Sequence, residues 1–363
     1  MSRKQFGMRS FLMIPGWLIL LLVPADDTPG EKRQKADRDA GAEAVRVAEN
    51  MLLYQRDSGG WPKGKDMQRV LTEEQKAELR RRKSRKDSTI DNGATYTQMR
   101  CLASAYAAAK KEQFRDGFLK GLDYLLEAQY PNGGWPQVYP LRNGYSRHIT
   151  FNDDAMTGVI RLLRDIAKER EPYGFVDQQR RRKAAEAVEK GIECILDCQI
   201  VVNGSRTAWC AQHDEKTLEP RPARSYEKAS LSGGESVGIV DFLMEIENPS
   251  PEIIESVQAA VAWFDRVRIT GIRQKRVPAP DSPRGFDKLI VKDPDAPPLW
   301  ARFYEIPTLR PIFCSRDGIV RYSLAEISCE RRTGYSWYCG RPRELLAKRY
   351  PLWQKKWAPT TRQ

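Results

Sequence analysis

The stretch "FLKGLDYLLEAQYPNGGWP" (residues 118–136) decides the fold, because the chain contains it twice in recognisable form. The earlier copy, "AVRVAENMLLYQRDSGGWP" (44–62), has a similar amphipathic run, a Gln six residues before the Trp, and the same Gly-Gly-Trp-Pro end. Trp61 and Trp135 are 74 residues apart, and a further 74 residues lead to Trp209, which also follows a helix-like run and a Gln. The sequence therefore predicts three repeats of a helix followed by a Gln-turn-Trp corner.

A second helix with a polar beginning completes each repeat. These beginnings are "STIDNGATY" (88–96), "ITFNDDAMT" (149–157) and "ASLSGGESVG" (229–238). Helical hairpins in tandem must stack to bury their apolar faces, and closing the stack into a ring gives a mainly α, (α/α)3 toroid. We expect one catalytic domain over residues 43–363, with minor β structure near the C-terminus, where "DGIVRYSLAEI" (317–327) alternates best.

The corner tryptophans have two predicted uses. Trp61 and Trp135 are expected to be structural wedges, with Gly permitting the turn and Pro fixing the next φ angle. Trp209 has neither the Gly-Gly nor the Pro, and we predict that it is free to bind a ligand.

The N-terminus is typical of a secretory signal peptide over residues 1–25. A basic start precedes the apolar run "FLMIPGWLILLLV" (11–23), which is too short to span a bilayer comfortably. Charged residues 26–42 are predicted to be a linker. An uncleaved anchor is the alternative. We expect a secreted or periplasmic monomer with no stable membrane partner once the signal is cleaved.

The formal net charge of +13, with basic runs at 80–86 and 180–183, favours an acidic partner. Such a partner could be nucleic acid, an anionic membrane or an acidic polysaccharide, and the charge alone does not choose among them. An exported protein rarely meets nucleic acid, so we expect no nucleic-acid partner. Two histidines and no CxxC pair argue against a zinc site. The seven cysteines are an odd number and define no disulfide framework, although Cys329 and Cys339 could bridge.

Two clusters of polar residues are candidates for chemistry. The first is acidic and lies at the beginnings of the second helices: Asp91, Asn92, Asn152, Asp153 and Asp154. These residues could be N-caps, but one cap per helix would suffice, and their oxygens suit Ca²⁺ or Mg²⁺. The second cluster is cationic and lies in loops: Arg221, Arg224, Tyr226, Glu227, Arg302, Arg310 and Arg316. Several guanidinium groups beside aromatic rings are typical of a site for carboxylates or phosphates.

Eight blocks in this chain resemble the pectate lyases of polysaccharide lyase family 10. They are "STIDNGAT" (88–95), "GGWPQVYPL" (133–141), "YSRHITFNDDAM" (145–156), "WCAQHD" (209–214), "PARSYE" (222–227), "LSGGESVGI" (231–239), "RFYEIPTLRPIFCSRDG" (302–318) and "ERRTGYSWY" (330–338). The chain departs from the pattern at Leu309, where Asn is expected, and in the basic, Pro-rich stretch 272–298, which does not align.

The resemblance implies a calcium-dependent enzyme that cleaves α-1,4-polygalacturonate by anti β-elimination and leaves 4,5-unsaturated products. It matches Arg224 to the base, Arg316 to an arginine that binds the substrate carboxylate, and Asp91 and Asp153 to acidic residues that bind Ca²⁺. We count Asp91 among the catalytic residues as well. Four residues of the same loops and corners are predicted to bind substrate: Arg302, Asn92, Trp209 and Tyr226.

Two alternatives come from other functional classes. One is a non-catalytic protein that binds pectin or another polyanion. The other is a terpene cyclase, because Gln-turn-Trp corners also occur in such α/α toroids. The arginine-rich loops argue against the cyclase, since they would repel a carbocation.

Overall fold

The computed structural model describes residues 29–358, with side chains from residue 41 onward. The predicted signal peptide, 1–25, lies outside the described residues. The chain divides into two compact units, Met1–Arg46 and Val47–Gln363. Helix α1 is Pro29–Tyr54, so its first residues fall in the predicted linker. Between residues 29 and 358, no helix is long and apolar enough to cross a membrane.

The second unit is built mainly of helices. After α1 these are α2 (Glu73–Arg81), α3 (Tyr96–Ala109), α4 (Glu112–Ala128), α5 (Ala155–Ala167), α6 (Gln178–Asp197), α7 (Glu235–Met244), α8 (Pro251–Arg266), α9 (Cys329–Gly334), α10 (Arg341–Glu344) and α11 (Tyr350–Trp357). Side chains cap the starts of α2, α6 and α8. In α8, the Ser250 side chain accepts a hydrogen bond from the backbone N–H of Ile253, and Pro251 occupies the first turn, where it costs no hydrogen bond.

The helices pack as three hairpins in two layers. Helix α3 packs against α4, α5 against α6, and α7 against α8. Neighbouring hairpins join through α3–α5–α7 contacts in one layer and α4–α6–α8 contacts in the other. Helix α5 is buried over most of its length, whereas α6 has a largely exposed polar face, so α5 belongs to the inner layer. This arrangement confirms the predicted mainly helical α/α toroid.

The three Gln-turn-Trp corners share one set of hydrogen bonds. Each tryptophan is fully buried and donates its indole N–H to a carbonyl of the helix before it: Trp61 to Met51, Trp135 to Leu125, and Trp209 to Ile195. Each glutamine side-chain amide donates to a carbonyl in its own turn and to a second carbonyl in the next outer helix. The second carbonyl is that of Gly117 for Gln55, Ala187 for Gln129 and Ser256 for Gln199. A corner therefore closes its own repeat and fastens it to the following one.

Two glycines make room for the corner rings. A Cβ on Gly121 would lie 3.0 Å from the Trp61 ring, and one on Gly191 would lie 3.1 Å from the Trp135 ring. Gly121 lies four residues after Gly117, and Gly191 lies four residues after Ala187; the carbonyls of Gly117 and Ala187 are the ones that accept from the corner glutamines. Large apolar rings thus fit against helix backbone in a close-packed interior.

Short antiparallel strand pairs form in the segments that lead from one hairpin to the next and in the segment after α8. They are β1 (Ile149–Thr150) with β4 (Gln212–His213), β2 (Val201–Val202) with β3 (Ser205–Arg206), β5 (Leu231–Ser232) with β9 (Phe303–Tyr304), β8 (Trp300–Ala301) with β12 (Tyr338–Cys339), and β10 (Phe313–Cys314) with β11 (Val320–Arg321). Thr150 pairs with Gln212, three residues after Trp209, and Ser232 pairs with Phe303, three residues after Trp300. Trp300 donates its indole N–H to Phe264 in α8, so it forms a fourth corner that the sequence pattern did not reveal.

The longest strands are not where the sequence predicted them. Residues 317–327 contain only the two residues of β11 and a 3-10 turn, so that strand prediction was largely wrong. Strands β6 (Ile272–Pro278) and β7 (Phe286–Lys292) form a seven-residue hairpin within the unaligned stretch 272–298. The cationic residues of this hairpin interrupt the alternation of apolar and polar residues that would have predicted its strands. Ile290 packs against the C-terminal core, while Lys275 and Lys292 are exposed.

Candidate active site

The beginnings of the inner helices are strained turns. Asp91–Gly93 and Asn152–Asp154 form equivalent 3-10 turns, and their central residues, Asn92 and Asp153, have left-handed φ angles of 51° and 52°. No side chain caps either turn or the helix that follows it. N-capping therefore does not explain these carboxylates. Left-handed non-glycine residues are uncommon and tend to cluster at functional sites.

The acidic turns and the loop that contains Arg224 line one small cavity. Its volume is about 180 Å³, and it is lined by residues from all three repeats: Lys63, Asp91, Asn92, Gln137, Tyr145, Asn152, Asp153, Gln212, Arg224 and Glu227. Asp91, Asn92, Asp153 and Arg224 were predicted for the site, and the structure brings them together. They lie up to 133 residues apart in sequence, so only the packing of the repeats against one another makes them neighbours.

The acidic side of the cavity has the features of a cation site. Asp91 is 2% exposed, and its Oδ2 pairs with the Lys63 ammonium. Asn152 donates to Oδ2 of Asp153 at 2.7 Å and approaches Oδ1 of Asp91 at 3.5 Å. Burial, together with the nearby carboxylates of Glu235 and Asp91, raises the pKa of Asp153, although Arg302 opposes the shift. Crowded carboxylates of this kind are stabilised by positive charge.

A tight turn holds Arg224, which also lines the cavity. The Glu227 carboxylate accepts from Nε of Arg224 at 2.6 Å, from Nη2, and from the backbone N–H of Arg224 at 3.2 Å. The hydrogen bond to Glu227 raises the pKa of Arg224 above its already high ordinary value. Burial alone would raise the pKa of Glu227, but the hydrogen bonds from Arg224 and Tyr335 outweigh it and lower that pKa. Nη1 makes no hydrogen bond within the described part of the chain, so it is the nitrogen available to a ligand.

Arg302 and Arg316, the other two arginines predicted to contact substrate, lie in different surroundings. Arg302 is largely buried, and its Nη2 donates to Asn152 Oδ1 at 3.1 Å and to Glu235 Oε1 at 2.5 Å. Arg302 therefore fixes a residue of the acidic turn. Arg316 does not line the cavity. It is exposed, forms an ion pair with Glu330, and lies 5.7 Å from the ring of Tyr226.

The structure does not give Trp209 and Tyr226 the direct contacts predicted for them. Trp209 is 0% exposed and makes the same hydrogen bond as the other corner tryptophans, so it is architectural. Tyr226 is 4% exposed and lies in a hydrophobic core cluster, with Arg224 at 4.9 Å and Arg331 at 4.6 Å from its ring centre. Tyr226 supports the arginines and is not open to substrate.

Sequence reasoning missed three cavity residues that lie just after the corner tryptophans, one in each repeat. Lys63 and Gln137 lie two residues after their corner tryptophans, and Gln212 lies three residues after Trp209. The repeat could have indicated them, because a residue just past each corner points toward the same end of the toroid. Lys63 also borders an adjoining cavity of about 560 Å³, which is lined by Lys65, Arg142 and the partly exposed Tyr145 among others.

Histidine and cysteine side chains take no part in this cavity. His213 is buried, and burial lowers its pKa to about 4. Its Nε2 accepts from the backbone N–H of Cys210, and its Nδ1 contacts the carbonyl of Leu218. All seven cysteines are free, including Cys329 and Cys339. A second group that could hold a metal, His148, Asp214 and Glu215, lies elsewhere, and its carboxylates are already paired with Arg147 and Arg221.

Comparison with known proteins identifies the family. Residues 55–346 match the family described as pectic acid lyase. A family 10 polysaccharide lyase from Cellvibrio cellulosa is 34% identical, with a TM-score of 0.73, and the match covers 92% of this chain and 98% of that one. A mutant of a family 10 polysaccharide lyase from the same organism, in complex with trigalacturonic acid, has the same identity and TM-score over 91% of this chain and 97% of that one. No curated protein matches. The chain therefore belongs to the pectic acid lyase family and is a pectate lyase.

Proposed function

We propose that this enzyme is a calcium-dependent lyase that cleaves α-1,4-polygalacturonate by anti β-elimination. One observation carries the proposal: acidic turns from two repeats and the Arg224–Glu227 turn line a single cavity. The enzyme would release oligogalacturonates with a 4,5-unsaturated end, and we further propose that it is secreted.

The acidic turns fit Ca²⁺. Asp91 and Asp153 would hold the ion, and the side-chain amide of the neighbouring Asn92 adds an oxygen atom of the kind that Ca²⁺ prefers. The Lys63 ammonium that pairs with Asp91 shows that this buried carboxylate takes a cationic partner. When bound, Ca²⁺ would supply positive charge beside the substrate carboxylate and make the adjacent C5 proton more acidic.

Arg224 would accept the C5 proton through Nη1. Once the neutral guanidine takes the proton, the electrons of the C5–H bond form the C4=C5 double bond, the C4–O4 bond breaks, and the departing oxygen takes a proton from water. Glu227 favours the charged guanidinium, so the neutral form is scarce and increases with pH. We therefore expect turnover to rise with pH into the alkaline range.

The remaining arginines would act on the substrate carboxylates. Arg302 holds the Asn152 side chain and adds positive charge beside Asp153. Arg316 is exposed, lies 5.7 Å from the ring of Tyr226 and does not line the small cavity, so it would bind a carboxylate outside that cavity. The adjoining cavity, with Lys65 and Arg142, provides cationic surface for further sugar residues.

Calorimetric Ca²⁺ titration and a lyase assay test the proposal together. Asp153→Asn should lose Ca²⁺ binding and turnover on polygalacturonate, measured by the ultraviolet absorbance of the unsaturated product. Asp154→Asn is the matched control, because Asp154 is the next residue but pairs with Arg341 and does not line the cavity. Full activity in excess chelator would refute calcium dependence. Binding of polygalacturonate without any unsaturated product would indicate the non-catalytic alternative.

A further inference from the structure

Tyr335 lies at the centre of the arginine contacts, although the sequence assigned it no role. It follows α9, within "ERRTGYSWY" (330–338). Its hydroxyl donates to Oε1 of Glu227 at 2.6 Å, across 108 residues of sequence. Its backbone carbonyl accepts from the buried Lys288 ammonium of strand β7 at 2.9 Å. Tyr335 is thus fixed at both ends.

The ring of Tyr335 faces two arginines of the site. The guanidinium carbon of Arg302 lies 4.6 Å from the ring centre, and that of Arg224 lies 5.7 Å away. Phe303 stacks against the ring with centroids 6.1 Å apart, and Trp337 packs against it at 5.1 Å. Guanidinium groups are attracted to aromatic faces at these distances, so a packed ring restricts both arginines.

We propose that Tyr335 is a positioning residue that fixes Arg224, through Glu227, in its reactive orientation; this inference rests on the proposed role of Arg224. The Arg224–Glu227 pair joins residues only three apart, so by itself it could move as one unit on its loop. The hydroxyl of Tyr335 anchors this unit to a different segment. Arg224 is 47% exposed at its side chain, and a half-exposed arginine has much rotamer freedom to lose.

The pKa values agree with this arrangement. Burial, followed by the nearby carboxylates of Glu227 and Glu235, raises the pKa of Tyr335, so its hydroxyl keeps the proton that it donates. The hydrogen bond from Tyr335 also helps to keep Glu227 charged. A charged Glu227 is the form that can accept from both Nε and Nη2 of Arg224.

The decisive variant is Tyr335→Phe, which keeps the ring and removes only the hydroxyl. Because a hydrogen bond to a charged group is lost, we expect kcat to fall about 10-fold or more, with KM within about twofold of wild type and Ca²⁺ binding unchanged. Tyr335→Leu, which also removes the ring, should lose about 100-fold or more. Tyr338→Phe is the control, since that hydroxyl makes no hydrogen bond within residues 41–358 and should be dispensable.

A spectroscopic measurement tests the orientation without turnover. The arginine Nε–Hε signal of Arg224, assigned by its loss in Arg224→Lys, should exchange slowly with water in the wild type and about tenfold faster or more in Tyr335→Phe. Wild-type kcat in Tyr335→Phe, or an unchanged exchange rate, would overturn the inference. If the wild type produced no unsaturated product, the proposed reaction would fail, while the exchange rates would still decide whether Tyr335 positions Arg224.

Discussion

Replacing Arg224 with Ala separates a catalytic role from a structural one, because we expect a small loss of folding stability but a large loss of turnover. The Arg224 side chain is 47% exposed and that of Glu227 is 9% exposed. An exposed ion pair contributes about 0–1 kcal/mol, whereas breaking a buried pair costs about 3–5 kcal/mol. Tyr335 and the backbone N–H of residue 224 would still donate to Glu227. We therefore expect Arg224→Ala to lower the free energy of unfolding by only about 1–2 kcal/mol.

The expected loss of activity is much larger. A general base contributes about 10²–10⁴-fold, which is equivalent to about 3–5 kcal/mol of activation free energy. A domain that is stable by about 5–15 kcal/mol stays folded after losing about 2 kcal/mol. Unfolding therefore cannot account for a loss of that size. Initial rates on polygalacturonate, followed by ultraviolet absorbance, and urea unfolding of the same samples give both quantities.

The chain offers a matched control in the same loop. Arg221 pairs with Asp214 at 2.9 Å, with side-chain exposures of 42% and 14%, and it does not line the cavity. Arg221→Ala should lose similar stability and keep turnover within about twofold of wild type. An Arg224→Ala enzyme that retains more than about a tenth of wild-type turnover could not have lost its base. Equal losses in both variants would point to loop structure instead.

Three further predictions concern the scaffold and its pH dependence. Gly133→Ala should destabilise the protein by about 3 kcal/mol or more in urea unfolding, because Gly133 has a φ of +87° and a Cβ there would lie 2.0 Å from a backbone carbonyl oxygen. The control Gly144→Ala, at a φ of +92° but in open space, should cost only about 1–2 kcal/mol. Equal costs would contradict the proposed clash. Leu309→Asn should stabilise the protein by about 0.5–1 kcal/mol, since Leu309 has a φ of 59°, which Asn tolerates better; an unchanged or lower melting temperature would refute this explanation. The pKa of Glu227 is lowered, so the stability from its pair with Arg224 should be fully present above about pH 5 and decline as pH falls below about 4, through the folded-state pKa. Unfolding of wild type and Glu227→Gln over a pH series should therefore show a difference that shrinks in acid; a constant difference would contradict the assignment.

Local sequence determined the repeated architecture. The local sequence of a corner such as "NGGWP" (132–136) specifies its structure. Gly permits the turn, Pro fixes the following φ, and the Trp needs both a large pocket and a partner for its N–H. The acidic turns at Asp91 and Asp153 could be predicted for a similar reason. Their side chains exceed what helix capping needs, and this excess is visible without a structure.

Tertiary structure decided which of the similar residues serve the site. Trp209 lost its Gly-Gly and Pro but kept its buried position, because its indole still bonds Ile195 and neighbouring helices fill the space around it. Burial depends on packing partners distant in sequence, which a local motif does not encode. The β6–β7 hairpin escaped prediction because exposed cations interrupt its apolar alternation, while its pairing is set by register between two strands.

The electrostatic pairing in the cavity was likewise a tertiary property. Lys63 and Asp91 are 28 residues apart, and Tyr335 and Glu227 are 108 apart, so neither pair could be inferred from spacing. The sequence by itself determined the helices, the corners and the chemical types of the site residues, since these follow from local backbone preference and side-chain chemistry. Only the packing of the repeats determined which charges meet, because ion pairs and hydrogen bonds act over a few ångströms in space, whatever the separation along the chain.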